Sequence, residues 1–182
     1  MTESYSQAPA WQVERWFNTS EPLSLERLRG KVIVLEAFQM LCPGCVSEGL
    51  PQAQRVQASF PSEQVAVIGL HTVFEHHQAM TPVSLEAFLY EYRITFPVAV
   101  DLPDPQGSAP LTMRAYAMRG TPSMVLIDKA GRIRLHYFGR VDELQLGAQI
   151  AFLIAEAGSL SEANQDPSSE QMSGCADGAC VP

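Results

Sequence analysis

The chain has 182 residues, 46% of them hydrophobic and 18% charged, proportions that suit one globular domain able to bury its own core. Twenty acidic against twelve basic side chains give a net charge of -8, so the basic surface that attracts phosphate backbones is missing and nucleic acid is excluded as an expected partner. No apolar run approaches the roughly 18 residues of a membrane span, and MTESYSQAPA has neither a basic n-region nor an apolar h-region, so a cytoplasmic chain without membrane contact is expected.

In chain order, Trp11 to Trp16 alternates apolar and polar side chains and NTSEP follows as a turn, which predicts an N-terminal β-hairpin covering a sheet edge. Lys31 to Leu35 is a β-branched apolar run, the pattern of a central strand buried on both faces. After Cys42 to Cys45 a helix is expected to about Ser59, kinked at Pro51 and closed by Pro61. A buried strand follows over Val65 to Leu70. Ser84 is placed to cap a helix whose Leu85, Phe88, Leu89 and Tyr92 share one face. Pro97 to Asp101 is a third strand, Leu111 to Ala117 a short helix, and Met124 to Ile127 a fourth strand. Asp128-Lys129-Ala130-Gly131 turns the chain into an alternating, more exposed strand over Arg132 to Phe138. Asp142 caps a last amphipathic helix to about Ala155. This order predicts an α/β fold, a central mixed sheet flanked by helices. It occupies residues 1–157. Residues 158–182 contain four acids, no Lys or Arg and few large apolar residues, and are expected to form a flexible acidic tail.

The four cysteines are too few to staple a chain of this length, so their spacing points to redox or metal chemistry. Cys42-Pro43-Gly44-Cys45 lies where a buried strand passes into a helix. A helix N-terminus directs unpaired N–H groups at the first sulfur and lowers its pKa, so Cys42 is the expected nucleophile. The two-residue spacer lets Cys45 reach a mixed disulfide on Cys42 and resolve it. CPGC also occurs in zinc knuckles, which leaves a metal reading open. Further on, Arg119-Gly120-Thr121-Pro122-Ser123 places a proline at the entry to a central strand, a position that fits a cis bond.

Taken together, GKVIVLEAF, CPGC and GTPSMVLID with its glycine turn resemble the thioredoxin superfamily. LSLERLRGKVIVLEAFQMLCPGC is similar to the TlpA- and ResA-type thiol-disulfide oxidoreductases, and VIGLHTVFEHH with YRITFPVAVD to the thioredoxin-like domains of DipZ type. The resemblance covers about residues 8–156. It implies Cys42 as nucleophile, Cys45 as resolver and Pro122 as the cis-proline, with the backbone of Thr121 pairing with an extended partner segment. Glu36 falls at the buried acid beneath the CxxC, where a raised pKa would suit proton exchange with Cys45; it could equally be a structural group paired with Lys31 or another base. Glu48 matches an acid of the TlpA and ResA group, or is a solvated helix-face residue. The tryptophan usual before the first cysteine is replaced by Leu41.

His71 ends a core strand on the side where such folds work; it borders the site or is a hydrogen-bonded structural histidine. His76 and His77 are expected in an exposed loop, and Met113 and Met118 in packing. The implied activity is dithiol-disulfide exchange, without a cofactor beyond the cysteines. The partners are a protein disulfide or dithiol and a reductant or oxidant, acting with a monomer. Two alternatives stand beside it: a peroxiredoxin-like thiol peroxidase, although Gln39 replaces the threonine three residues before the peroxidatic cysteine, and a zinc module using all four cysteines. Cys175 and Cys180, a C-x4-C pair among small residues, are incidental thiols or a built-in redox relay for Cys42 and Cys45.

Overall fold

The computed structural model describes residues 5–107 and 109–156. Six strands form one mixed sheet: β1 (Val13–Phe17), β2 (Val32–Phe38), β3 (Val65–His71), β4 (Val98–Asp101), β5 (Ser123–Ile127) and β6 (Ile133–Phe138), in the order β1-β4-β3-β2-β5-β6. Strands β2, β3 and β4 are parallel, and β1, β5 and β6 run antiparallel to their neighbours. Every residue of β2 is buried, as its unbroken apolar run requires of a strand covered on both faces.

The two faces of β2 follow from its period of two. Val32, Val34 and Phe38 pack with Leu50, Ala53 and Val56 of α1 (Leu50–Ser59), Leu85 and Leu89 of α2 (Pro82–Glu91), and Leu146, Ile150 and Leu153 of α4 (Glu143–Ala155). Ile33, Leu35 and Ala37 pack on the other side with Met113 of α3 (Leu111–Ala115), Met118, Leu25 and Leu28. Glu36 belongs by alternation to the first face. It is the one carboxylate in that row.

The expected N-terminal hairpin does not form. Strand β1 covers the edge of β4, with Trp16 opposite Ala99 and Phe17 opposite Val98, but no second strand returns beside it. Asn18 turns the chain away with a φ of 56°, its amide donating to the Ile94 and Phe96 carbonyls at 2.8 and 3.1 Å. Leu25 and Leu28, three residues apart, then follow the spacing of a helical turn and insert under the sheet at 5% and 7% exposure. That spacing, not alternation, governs the segment.

The cap of α2 also moves. Thr81 is the N-cap, its Oγ1 accepting from Ser84 N at 3.3 Å, because Pro82 is suited to the first helical position and draws the start forward. Leu85 and Leu89 face the core as expected, while Tyr92 stacks on Phe88 with ring centroids 4.3 Å apart. Asp142 caps α4 through Gln145 N at 2.9 Å. The β5–β6 turn is closed by Asp128, which accepts from Ala130 N and Arg132 N, with Gly131 at a φ of 73°.

Candidate active site

Strand β2 ends at Phe38, and a short connection delivers Cys42 to the start of a helical stretch running from Pro43 to Ser59. Residues Cys45–Gly49 of that stretch form a π-helical turn, and α1 continues from Leu50 with Pro51 in its first turn. The break expected at Pro51 therefore falls just before it. Pro51 brings no N–H to the ladder, and the wider π-helical turn before it is where the helix accommodates that gap.

Cys42 and Cys45 are joined as a disulfide, with Cα atoms 5.2 Å apart. Cys42 is half-buried and Cys45 is fully buried, so the first cysteine is open to solvent and the second lies behind it. Cys45 N donates to Cys42 Sγ at 3.1 Å, so the sulfur stands where a side-chain oxygen caps an ordinary helix. The same N–H and the helix dipole favour a thiolate at Cys42 after reduction. Across the site, Cys42 Sγ lies 3.5 Å from the Thr121 carbonyl oxygen, and the Thr121–Pro122 peptide bond is cis. Gly139 N donates to the Pro122 carbonyl at 2.9 Å, tying this loop to the end of β6. Leu41, beside Cys42, is 57% exposed.

Glu36 lies beneath the helical stretch, 1% exposed, and its Oε1 has no hydrogen-bond partner among the described residues. Burial pushes its carboxyl well above the usual carboxylate range, since desolvation penalises the charged form. No pairing with Lys31 offsets this. Gly49 lies directly on it. A Cβ at Gly49 would overlap Glu36 Oε1 and come 3.1 Å from Pro122 Cβ, so the absence of a side chain lets strand, helix and proline loop meet. The sequence reading overlooked Gly49, whose signal was a glycine one turn after Cys45. Gly49→Ala is expected to destabilise the fold by about 1–3 kcal/mol in urea unfolding, through overpacking that outweighs the better helix propensity of alanine. Adding Glu36→Ala should restore part of that loss; unchanged stability in the single variant would contradict the contact.

The other expected positions divide. Glu48 is on the outer side of the π-helical turn, 3.9 Å from Arg140. His71 is 1% exposed and packs its ring against Phe38 at 5.3 Å. Its Nε2 lacks a hydrogen-bond partner among the described residues, so the hydrogen bond expected of a structural histidine is not seen at that atom, and burial depresses its pKa to about 4. Gln39 is buried and its amide is engaged by the following loop, accepting from Phe74 N and donating to Glu75, both at 3.3 Å. His76 and His77 are exposed, while Met113 and Met118 are in the core. Among the described residues no three His, Cys, Asp or Glu side chains form a group that could hold a metal. Cys175 and Cys180 lie outside the described residues.

The model of the AhpC/TSA family matches residues 5–136. The chain belongs to the AhpC/TSA family. Among solved structures it is 64% identical to a thioredoxin-like superfamily protein, covering 84% of this chain and 98% of that one with a TM-score of 0.82. It is 52% identical to a thiol-disulfide isomerase from Corynebacterium glutamicum, covering 82% and 97% with a TM-score of 0.78. Protein DipZ of Mycobacterium tuberculosis is 29% identical over 143 residues, 77% of this chain but 19% of DipZ. The chain thus spans about a fifth of that relative. Its six-stranded mixed sheet is the thioredoxin-like fold that these solved structures share.

Proposed function

We propose that the protein exchanges its Cys42/Cys45 dithiol or disulfide with disulfides or dithiols of other proteins. The observation that carries this reading is the asymmetry of the pair, an accessible Cys42 sulfur held by a helix-start N–H and a Cys45 sulfur buried behind it. In the reducing direction the Cys42 thiolate attacks one sulfur of a substrate disulfide, that bond breaks, and the departing thiolate takes a proton from water. Cys45 then loses its proton and attacks Cys42 Sγ, releasing the second substrate thiolate and leaving the Cys42–Cys45 disulfide. Two electrons pass to the substrate. Oxidation runs the same steps backward, and a second thiol or disulfide partner restores the starting state.

Glu36 is the group that takes up or returns the Cys45 proton, a role supported by its burial directly beneath Gly49, one helical turn on from Cys45, and by its raised pKa. The Thr121 backbone is the edge on which an extended substrate segment pairs, supported by its carbonyl beside Cys42 Sγ. A thiol peroxidase needs a group at position 39 to orient the peroxide, and the Gln39 amide is engaged elsewhere. The test sets a protein disulfide against hydrogen peroxide under one thiol donor. Disulfide reduction without peroxide turnover is expected, and rapid peroxide turnover dependent on Cys42 would overturn the reading.

The finer part of the proposal is a relay through Cys175 and Cys180, supported by the pair's C-x4-C spacing in SGCADGAC. Deleting residues 158–182 should slow exchange between Cys42/Cys45 and a second dithiol protein without changing the first attack on substrate. Unaltered turnover and reduction potential after the deletion would remove the relay.

A further inference from the structure

A narrow crevice of about 10 Å³ opens beside the π-helical turn and ends on Glu36. That volume is about one water molecule. Gly49, Met124 and Val141 line it, and Glu48 and Arg140 are among its lining residues with exposed side chains. Its width is set by a tie across it, since Gln52 Nε2 donates to the Val141 carbonyl at 2.9 Å and holds α1 to the β6–α4 connection.

Two independent features point into this space. Glu36 is 99% buried, yet its Oε1 has no hydrogen-bond partner among the described residues. Gly49 contributes no Cβ at the one place where a Cβ would cover that oxygen. A carboxyl enclosed in a core cannot change charge faster than a proton can reach it. Cys45 offers no path of its own, being 0% exposed.

We propose that this crevice is the proton path between Glu36 and solvent, a single water bridging the buried carboxyl to Glu48, which exchanges the proton at the surface. The inference rests on the thiol-exchange reading above for its purpose, but not for its geometry. The charged groups that face the crevice are Glu48 from the π-helical turn, Arg140 from the β6–α4 connection, Arg55 from α1 and Glu143 from α4. Arg55 and Glu143 are paired with each other, which leaves Glu48, 3.9 Å from Arg140, as the carboxylate with a loose partner. Nothing charged comes from β3 or β5, where Gly69 and Met124 stand opposite Glu36. In the reducing direction Cys45 gives its proton to the Glu36 carboxylate as its sulfur attacks Cys42. The protonated Glu36 then passes a proton to the crevice water, which delivers one to Glu48 and so to solvent.

Infrared difference spectroscopy of the full chain tests this. The carboxylic acid band of Glu36, assigned by its loss in Glu36→Gln, is followed after transfer into deuterated water. Glu48→Gln should slow exchange of that band by about tenfold or more, the scale of a lost proton-transfer group, and Glu48→Asp should restore it. Because Glu48 is exposed, both variants should unfold at the wild-type temperature, and the pH profile of mixed-disulfide resolution should respond in the same order. Exchange at the wild-type rate in Glu48→Gln would overturn the path even if disulfide reduction were normal. Absent disulfide reduction with the expected pattern of exchange would overturn the thiol reading instead.

Discussion

Cys42→Ser is expected to lower insulin-disulfide reduction to the uncatalysed background, whereas Cys45→Ser should keep the first exchange and accumulate mixed disulfides through Cys42. The difference follows from position. Cys42 is the sulfur a partner can reach, and its neighbour's N–H at 3.1 Å favours the thiolate that attacks. Cys45 is buried, so it meets only the sulfur already bonded to Cys42. Without it, the mixed disulfide has no internal thiol to release it. Non-reducing gels and peptide mapping of substrate mixtures check this. Trapping seen only in Cys42→Ser would reverse the assigned order.

The second large effect concerns Glu36. Its native pKa is raised above the ordinary value of 4.5 by burial, so between the two values the folded chain holds a proton that the unfolded chain has lost. Stability therefore falls as pH rises through that window, at up to about 1.4 kcal/mol per pH unit. Glu36→Gln is neutral at every pH and lacks this slope. Unfolding in urea should show wild type and Glu36→Gln alike near pH 4, with the variant increasingly the more stable above it. The buried His71, with its pKa depressed to about 4, loses stability in the opposite direction as pH falls below 6.5. It does so in both proteins and cancels in the comparison. The same variant should slow resolution of the mixed disulfide by roughly 10²-fold or more, the usual contribution of a positioned acid–base group. Parallel stability curves would show that Glu36 ionises normally.

Most of the strands were legible in the sequence because buried strands announce themselves as unbroken apolar runs. Val32 to Leu35 and Met124 to Ile127 are such runs, and both are fully buried. The candidate site was legible because CPGC and Thr121-Pro122 are short, local patterns; the fold brings these two segments, 79 residues apart, to within 3.5 Å. The N-terminal segment was misread because Trp11 and Trp16 imitate one arm of a hairpin. The partner of β1, to which Trp16 belongs, is β4, far along the chain, and no local pattern shows that. The cap of α2 was displaced because Pro82 outweighs Ser84 at a helix start. Gly49 and Arg140 were missed for a further reason. Their meaning lies in what they stand beside, a buried carboxyl and a crevice, and neither neighbour is close in sequence.

Thiol exchange in this order requires Cys42 to be the reactive sulfur and Cys45 the buried one. Reduced protein treated with iodoacetamide across a pH series, with each cysteine quantified by mass spectrometry, measures this directly. The expected result is rapid alkylation of Cys42 with an apparent pKa below the ordinary thiol value of about 8.5, while Cys45 reacts only after unfolding. Alkylation of Cys45 first, or of Cys42 only near pH 8.5 and above, would contradict it.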